Sequence, residues 1–313
     1  MMHDLEGAPG AAHEHAAGDG RPRLAFVGAG HVGAALAVAF ARAGWQVTAV
    51  ASRDDGRRAR FLGLVPGARA FAEPQAVLDD ADLIFLTVPD DAIAGVAASL
   101  HLYSGQALVH TSGALPAAVL APAMAAGTSA GGFHPLVAFA DHDQAVEDLA
   151  GSTVAVEGDG TLLPLLAELA ESIGARPVTL PEGGKVAYHA AAMMAAGGLV
   201  GLLDAIASVA RAAGLDERAA VAVYAPLARQ ALANAERMGI DAALTGPLLR
   251  GDVGTLRTHL EALNEHAADA VPLYVEVARR EVAIAHRRGE LDDERAAEIE
   301  RLLAGASPLP GDG

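Results

Sequence analysis

The feature that most constrains this fold is a run of 32 residues without proline, residues 183–214. Its polar side chains lie mainly near its two ends, so the run predicts one long, mostly buried helix. At about 1.5 Å per residue, such a helix crosses a whole domain. Gly197, Gly198 and Gly201 lie in its middle, and each costs about 1 kcal/mol relative to alanine. We therefore expect a second helix to cross there at close range.

A membrane span is the alternative interpretation of the same run. Residues 186–203 contain no Asp, Glu, Lys or Arg over 18 positions, which is long enough to cross a bilayer. The composition argues against a span, because alanine and glycine outnumber the bulky aliphatic residues and Asp204 ends the run without a basic flank. A buried core helix fits better, and we expect no membrane partner.

The first turn of this helix carries three titratable side chains on one face. Lys185, Tyr188 and His189 are spaced i, i+3 and i+4, which places them side by side. The chain before them alternates strand and helix patterns, and the chain after them is helical in pattern. We expect this face to lie where the two domains meet, and we predict a catalytic site there.

Charge and composition exclude several classes of partner and site. The chain has 39 acidic and 22 basic residues, a net charge of −17, which repels phosphate backbones and anionic lipid surfaces. Nucleic acid is therefore not an expected partner. The absence of cysteine excludes disulfides and thiolate catalysis. No His, Asp and Glu set has the spacing of a zinc protease, so we expect no metal.

The two ends of the chain are predicted to be tails. Residues 1–22 are rich in Ala, Gly and His and hold too few large apolar side chains to order themselves, and residues 307–313 form a second tail. His3, His13 and His15 are potential metal ligands, but a solvated segment is the favoured interpretation. The first 22 residues lack the basic start and apolar core of a signal peptide. We interpret the protein as cytoplasmic.

A glycine motif near the start predicts a dinucleotide site. Residues 23–27 form a short apolar run, and residues 34–44 form an alanine-rich helix pattern ending in glycine. Between them lies the motif Gly28-Ala29-Gly30-His31-Val32-Gly33. In a strand-turn-helix unit the first glycine permits the tight turn, the second admits a pyrophosphate and the third packs the helix on the strand. The alternative is a glycine turn that binds no nucleotide.

The end of the second predicted strand indicates which dinucleotide binds. NAD-specific proteins place an acidic residue there to hold the ribose 2′-hydroxyl, whereas this chain has Ser52-Arg53, with Arg57 and Arg58 following. A guanidinium and a hydroxyl suit a 2′-phosphate. The sequence therefore predicts NADP(H), with a solvated basic turn as the alternative.

The remaining patterns predict an α/β domain followed by an all-α domain. Apolar runs over residues 82–88, 106–109, 152–156 and 176–180 predict further strands of a doubly wound parallel sheet. Residues 181–184, Pro-Glu-Gly-Gly, form the predicted boundary. We assign residues 23–181 to the nucleotide-binding domain and residues 182–306 to a helical substrate and dimerisation domain. Val88 and Pro89 follow a strand and are expected near the nicotinamide.

Four further polar side chains are candidate site residues. His110 and Ser112 follow a predicted strand beside the presumed nicotinamide, and they are given a substrate role. His134 precedes a proline and either contributes to the site or shapes a turn. Arg250 offers a planar fork for a substrate carboxylate, from its own or the partner subunit, or it pairs with Asp252 to fix a loop.

Several of these motifs together resemble a known family, in which a Rossmann-like domain precedes the domain of unknown function 2520. The motifs are GAGHVG, VPDDAI, VHTSGAL, GGFHPLVAF, YHAAA and ALTGPLLRGD, the last followed by His259-Leu260. The family is similar to the 6-phosphogluconate dehydrogenase-like superfamily, which includes ketopantoate reductases, pyrroline-5-carboxylate reductases, hydroxyisobutyrate dehydrogenases and prephenate dehydrogenases. These relatives transfer hydride with NAD(P) and dimerise through the helical domain.

The resemblance implies roles for individual residues. Lys185 falls where the hydroxyacid dehydrogenases place a catalytic lysine, and Tyr188 and His189 match its polar neighbours. His134-Pro135 is similar to the histidine-proline pair of prephenate dehydrogenases. Where the family usually carries an Asn after YHAAA, this chain has Gly197-Gly198, so a substrate hydrogen bond from that Asn is missing. An ordinary helix-start lysine is the alternative to a catalytic Lys185.

Two classes of function are consistent with these patterns. The first is an NADPH-dependent oxidoreductase that reduces a small anionic 2-oxo acid or a related carbonyl or imine, with ketopantoate as the first substrate to test. The second is a non-catalytic NADP-binding sensor or scaffold. Three titratable groups on one face favour the enzyme, because a sensor needs only the nucleotide site. The apolar long helix also predicts a homodimer through the helical domain.

Overall fold

The computed structural model describes residues 20–125 and 127–306. The predicted tails fall outside these residues, apart from residues 20–22, and so do His3, His13 and His15. The chain divides into two compact units, Met1–Ala192 and Met193–Gly313. The predicted boundary lies upstream of this division, so the first turns of the long helix belong to the first unit.

The first unit is built on one eight-stranded sheet. Its strands are β1 (Leu24–Val27), β2 (Val47–Ala51), β3 (Arg69–Phe71), β4 (Leu83–Leu86), β5 (Ala107–His110), β6 (Ser129–Pro135), β7 (Thr153–Glu157) and β8 (Arg176–Val178). Their order is β3-β2-β1-β4-β5-β6-β7-β8, and all neighbours are parallel except β6 and β7. The order reverses at β1, so the carboxyl ends of β1 and β4 frame the crevice where such sheets bind ligands.

Helices cover both faces of this sheet. Those up to Met193 are α1 (His31–Arg42), α2 (Asp55–Leu64), α3 (Asp90–Ser99), α4 (His142–Leu149), α5 (Leu162–Ser172) and α6 (Lys185–Met193). Alternate residues of a strand face opposite sides. Phe26 and Phe85 therefore stack at 5.3 Å in one core, while Ala25 and Ile84 are buried in the other. The predicted doubly wound α/β domain is confirmed, with β7 and β8, which run antiparallel to the other six strands, as its exceptions.

The second unit is helical in all its described elements. They are α7 (Leu199–Arg211), α8 (Glu217–Met238), α9 (Ile240–Ala243), α10 (Val253–His266), α11 (Val271–Arg287) and α12 (Asp293–Ala306), with two short 3₁₀ turns. Leu256, Leu260 and Leu263 lie at i, i+4 and i+7 on α10, and this stripe packs into a core with α11 and α12. The predicted all-α domain is confirmed.

The helix α8 runs unbroken through Pro226. A proline removes one backbone hydrogen bond and bends a helix without ending it when both sides can continue. The preceding Asp216 supplies a strong start, because its carboxylate accepts the Ala219 N–H at 2.8 Å.

The long helix has the predicted extent but not the predicted burial. It comprises α6, one π-helical turn at Met194–Gly198 and α7. The prediction of a mostly buried helix is wrong, because Val186, Met194 and Val200 are 68%, 76% and 67% exposed. Apolar composition does not specify which atoms cover a helix, and few described residues of this chain pack beside its first five turns.

The predicted crossing at the central glycines is also absent from the described chain. A Cβ on Gly201 would meet nothing within 4 Å, and one on Gly197 or Gly198 would meet only Met193 or Met194 of the same helix. By length and composition alone, Lys185–Arg211 is the one described helix that is able to cross a membrane, with 6% of its most apolar window buried.

Candidate active site

The turn from β1 to α1 is closed too tightly for side chains at two of its glycines. Gly28 has a φ of +113°, and a Cβ there would lie 2.3 Å from the Thr87 carbonyl oxygen. A Cβ on Gly33 would lie 2.4 Å from the Gly28 carbonyl oxygen. The Thr87 hydroxyl donates to that same Gly28 oxygen at 2.7 Å. These contacts account for the first and third glycines of the motif as turn and packing positions.

Gly30 differs, because no protein contact requires a glycine there. Its φ of −76° is open to any residue, and a Cβ would meet nothing within 4 Å. The space lies at the N-terminus of α1, which has no side-chain cap. A pyrophosphate fits such a space and accepts hydrogen bonds from the free N–H groups of the first helical turn. The loop therefore meets the requirements of a dinucleotide site.

The other predicted cofactor residues lie at the same edge of the sheet. Within the motif, Ala29 is buried and Val32 half-buried, whereas His31 is exposed with its Nδ1 3.1 Å from the Phe139 carbonyl oxygen. Val88 and Pro89 follow β4 in the segment that leads into α3. Their backbone thus borders the crevice beside the glycine loop.

Gly33 and Gly30 should respond differently to substitution by alanine. Gly33→Ala should destabilise the fold by about 1–3 kcal/mol, because its methyl group collides with the Gly28 backbone. Gly30→Ala should change the free energy of unfolding by less than about 1 kcal/mol but weaken NADPH binding at least tenfold, about 1.4 kcal/mol. Urea unfolding and calorimetric titration of both variants test this, and an unchanged NADPH affinity of Gly30→Ala would contradict the pyrophosphate assignment.

Among residues 52–58, directly after β2, one guanidinium has no acidic partner in the described part of the chain. Arg57 and Arg58 are each paired with an aspartate of their own turn, and Arg58 also donates to the Ser52 carbonyl oxygen. Within residues 20–125 and 127–306, Arg53 makes no ion pair, and its side chain is exposed. Arg53 is therefore the cation of this segment that is available to a 2′-phosphate.

One row of residues across the sheet connects the glycine loop to a cluster of titratable groups. Neighbours in register along this row, from β1 to β7, are Val27, Leu86, His110, Gly132 and Glu157. The glycine loop begins directly after the first of them. The titratable cluster gathers around the last three, so both features lie at one edge of the first unit.

The Lys185 ammonium is held at the end of this row. Its Nζ lies 3.1 Å from Glu157 Oε2, and 13% of its side chain is exposed. The other carboxylate oxygen of Glu157 accepts the Ala117 N–H at 2.9 Å. Gly132 leaves room for the ammonium, because a Cβ there would lie 3.0 Å from Nζ. The ion pair thus replaces the solvated lysine that a helix start would otherwise favour.

His110 is a buried, neutral hydrogen-bond donor. Its Nδ1 accepts the Ser112 N–H at 3.1 Å, which places the ring proton on Nε2. Burial lowers the pKa of His110 to about 4, and the nearby Lys185 ammonium lowers it further. The Glu157 and Asp90 carboxylates and the Pro116 carbonyl partly oppose this shift. Nε2 has no hydrogen-bond partner among the described residues. At neutral pH the ring can donate one hydrogen bond but is not a cationic acid.

Two histidines and a tyrosine face one another across Gly113. His134 Nδ1 lies 3.4 Å from the Tyr188 hydroxyl, and its ring centroid is 5.6 Å from those of Tyr188 and His189. A Cβ on Gly113 would lie 2.4 Å from His189 Nδ1 and 2.6 Å from His134 Nε2. Burial lowers the pKa of His134 to about 4, helped by His189 and Lys185, and burial raises that of Tyr188 to about 12. His134 and Tyr188 are therefore neutral at pH 7.

The Ser112 hydroxyl is engaged within the protein. It donates to Asp90 Oδ2 at 2.7 Å and accepts the N–H groups of Ala114 and Leu115 at 3.2 and 3.1 Å. These bonds fix the turn after β5 that carries Gly113. Ser112 thus fixes the position of Gly113, against which His134 and His189 lie.

Arg250 belongs to the second unit and has an exposed side chain. The Asp252 carboxylate instead starts α10, since it accepts the Thr255 N–H at 3.0 Å and the Thr255 hydroxyl at 2.7 Å. No salt bridge between Arg250 and Asp252 forms in the part of the chain that the structure describes. The guanidinium is available to an anion.

Sequence reasoning misses three residues of the cluster, namely Glu157, Gly113 and Asp90. Their roles depend on strand register and on contacts between distant segments, which have no local pattern. One signal for the site is present in the composition. Lys185 is the only lysine among the 22 Lys and Arg residues, and the other 21 are arginines.

The buried histidine makes the fold sensitive to acid. The pKa of His110 is about 4 in the fold against an ordinary value of 6.5, so the unfolded chain takes up the proton first as the pH falls. Its contribution to stability is complete above pH 6.5 and is lost toward pH 4, by about 3 kcal/mol. Urea unfolding of His110→Gln should show a flatter pH dependence over this range. His101→Gln, at an exposed site, should keep the steep dependence, and equal slopes would contradict the assignment.

Two family models match the chain. A Rossmann-like domain matches residues 11–135, and the domain of unknown function 2520 matches residues 152–281. No curated protein matches the chain. The two matches follow each other in the order that the motifs indicate.

Solved structures share the fold. Protein TM1727 from Thermotoga maritima is 26% identical, with a TM-score of 0.69 over 84% of this chain and 99% of that one. An imine reductase from Pseudomonas sp. is 18% identical, with a TM-score of 0.62 over 91% and 99% of the two chains. A 1-pyrroline-5-carboxylate reductase from Streptococcus pyogenes is 14% identical, with a TM-score of 0.61 over 84% and 98%. The last two similarities concern the fold alone. The resemblance seen in the motifs is confirmed: this chain carries a Rossmann-like domain followed by the domain of unknown function 2520.

Proposed function

We propose that this protein is an NADPH-dependent reductase of a small molecule that carries a C=O or C=N group. The observation that carries the proposal is the placement of two features at one edge of the sheet. The glycine loop with its open space at Gly30 lies in the same row as the Lys185–Glu157 pair. Such a reductase requires at least a nucleotide site and a proton donor within one unit.

Lys185 is the proton donor of this proposal. A bound reduced nicotinamide supplies a hydride to the substrate carbon. The substrate oxygen or nitrogen, which takes up the electrons of the double bond, then receives a proton from Lys185 Nζ. The resulting amine recovers its proton from water. An arginine does not release a proton in proteins, which gives a chemical reason for the single lysine of the chain.

The surrounding side chains suit a substrate group without charge. His110, His134 and Tyr188 are neutral at pH 7, since burial shifts each pKa away from the charged form. They offer hydrogen bonds around the lysine and add no charge of their own. Burial also limits the access of water, so that charge interactions at the reacting atoms are strengthened.

The substrate classes to test follow from the family resemblance and from the solved structures that share the fold. Proteins of the same fold are named as an imine reductase, a 1-pyrroline-5-carboxylate reductase and a reductive aminase in complex with NADPH. We therefore place cyclic imines beside small anionic 2-oxo acids as substrates to test. Ketopantoate stays the first 2-oxo acid to test, because a branched acid with one hydroxyl and one keto group suits a pocket of apolar and His side chains.

The nucleotide preference follows from Arg53. NADPH should bind at least tenfold tighter than NADH. A tenfold ratio requires about 1.4 kcal/mol of binding free energy, and hydrogen bonds to a dianionic phosphate contribute more than this. Arg53→Ala should remove most of this preference, whereas Arg60→Ala, a nearby exposed arginine without an ion pair among the described residues, should keep it. Calorimetric titration of both nucleotides measures the ratio, and equal affinities in the unmodified protein would refute the assignment.

The activity is tested by NADPH oxidation against a panel of 2-oxo acids, cyclic imines and prephenate. Turnover of any member that disappears in Lys185→Met supports the reductase. A silent panel together with tight NADPH binding would favour the alternative, a non-catalytic NADP-binding sensor or scaffold.

A further inference from the structure

We propose that Glu157 is the positioning residue of this site: it holds the Lys185 ammonium against Gly132 and cancels its charge. Lys185 then meets the neutral C=O or C=N group of the substrate, and a substrate carboxylate must bind to a different cation. The inference rests on the proposed reductase function and specifies which part of the substrate faces the lysine.

The Glu157 carboxylate is fixed independently of the lysine. Its backbone ends β7 and is paired in register with Gly132 of β6. Its Oε1 accepts the Ala117 N–H at 2.9 Å, at the first residue of the 3₁₀ helix Ala117–Ala123. One oxygen is thus held by the backbone of a separate segment, and the other faces Lys185 Nζ at 3.1 Å. A carboxylate that is preset in this way can orient a flexible partner.

The lysine, in contrast, depends on this partner. Its four-carbon stem rotates freely unless the head group is bound. Among the described residues, Glu157 is its one hydrogen-bonded or ion-paired neighbour. Gly132 bounds the ammonium on another side, since a Cβ there would press on Nζ at 3.0 Å. Without Glu157 the head group has no preferred position over the strand ends.

The charge of the pair determines what it can bind. The ammonium and the carboxylate sum to zero, so the pair exerts little net attraction on a distant anion. A substrate carboxylate that approached Nζ would compete with Glu157, whose position is already fixed. A carbonyl oxygen or imine nitrogen needs only one of the remaining N–H donors of the ammonium. The geometry therefore favours proton delivery over carboxylate binding.

A spectroscopic test needs no substrate, because Lys185 is the only lysine of the chain. Protein grown with 13C-labelled lysine gives one ε-methylene signal in an NMR spectrum. With the ammonium held by Glu157, the two ε protons should have separate shifts, and in Glu157→Gln they should merge as the head group becomes mobile. Glu171→Gln, at an exposed position on α5, should leave them separate. Unchanged separation in a folded Glu157→Gln variant would overturn the positioning role.

A kinetic test uses the substrate found by the panel. Glu157→Gln should lower kcat by about 10- to 100-fold, which is the loss of rate expected when a general acid is misplaced. The KM for a 2-oxo acid should not rise, because the freed ammonium now attracts the carboxylate unproductively. The double variant Lys185→Met/Glu157→Gln should be no slower than Lys185→Met. A raised KM with an unchanged kcat would overturn the proposal and make Glu157 a substrate-binding residue.

The two tests separate this inference from the function on which it rests. If the ε-proton signals merge in Glu157→Gln but no member of the substrate panel is reduced, the result counts against the reductase and still supports the positioning of Lys185 by Glu157. Separate signals in Glu157→Gln would refute the positioning even if the reductase is active.

Discussion

Replacing Lys185 with methionine should lower the rate of hydride transfer by about 10²- to 10⁴-fold, which is the usual contribution of a positioned general acid. Methionine keeps much of the length and apolar packing of the stem but removes the proton donor. The affinity for NADPH should barely change, because the phosphates are assigned to residues 28–33 and Lys185 is paired with Glu157 at the other end of the row. Single-turnover NADPH oxidation measures the step, and calorimetry measures the affinity.

Arginine at the same position distinguishes proton donation from charge. Lys185→Arg keeps a cation opposite Glu157 but cannot release its proton at neutral pH, so it should be as slow as the methionine variant. Recovery of the rate by arginine would show that the charge alone is needed. A purely structural lysine predicts the opposite pattern, a lower melting temperature with turnover nearly intact. Unchanged chemistry in Lys185→Met would transfer the role of acid to His189.

The sequence predicts the nucleotide-binding half of this fold well, because its signals are local. Gly28 and Gly33 lie five residues apart within one turn, and both are positions where the Thr87 segment leaves no space for a side chain. Alternating strand and helix patterns with this turn at the start permit few topologies other than a doubly wound sheet. The same reasoning places Ser52 and Arg53 after β2 at the ligand edge.

The catalytic cluster is predicted only in part, because its geometry depends on long-range register. Lys185, Tyr188 and His189 share a helix face that the spacing reveals. Glu157 reaches Lys185 because β7 runs antiparallel to β6 and sets it opposite Gly132, and no pattern in the sequence specifies that direction. The lone lysine is a compositional signal that points to the site but not to its partner.

The long helix is predicted in extent but not in environment. Apolar composition shows that a surface must be covered, whereas the covering atoms can come from the same chain, from another copy or from lipid. The described residues of the same chain leave most of its length exposed, so they do not supply this cover. The choice between the other two rests on the neighbouring helix α8.

We propose that a second copy of the chain covers this surface. Twelve of the 17 large apolar side chains that are exposed in the described chain lie between Val186 and Ile240, on α6 to α9 and the π turn. On α8 they alternate with the exposed polar residues Arg229 and Gln230, a mixture that suits a protein interface better than hydrocarbon. The protein should therefore be a homodimer at micromolar concentration.

Placing a charge in this surface should dissociate the dimer. Val200→Glu and Leu227→Glu alter side chains that are 67% and 62% exposed in the single chain, so neither should unfold the subunit. Each variant buries two like carboxylates per dimer, and a penalty of about 4 kcal/mol raises the dissociation constant about 10³-fold. Ala304→Glu, an exposed position on α12, makes the same charge change and should leave the dimer intact. Light scattering measures the mass, and a monomeric unmodified protein, or one recovered only with membranes, would refute the second copy as the partner of this helix.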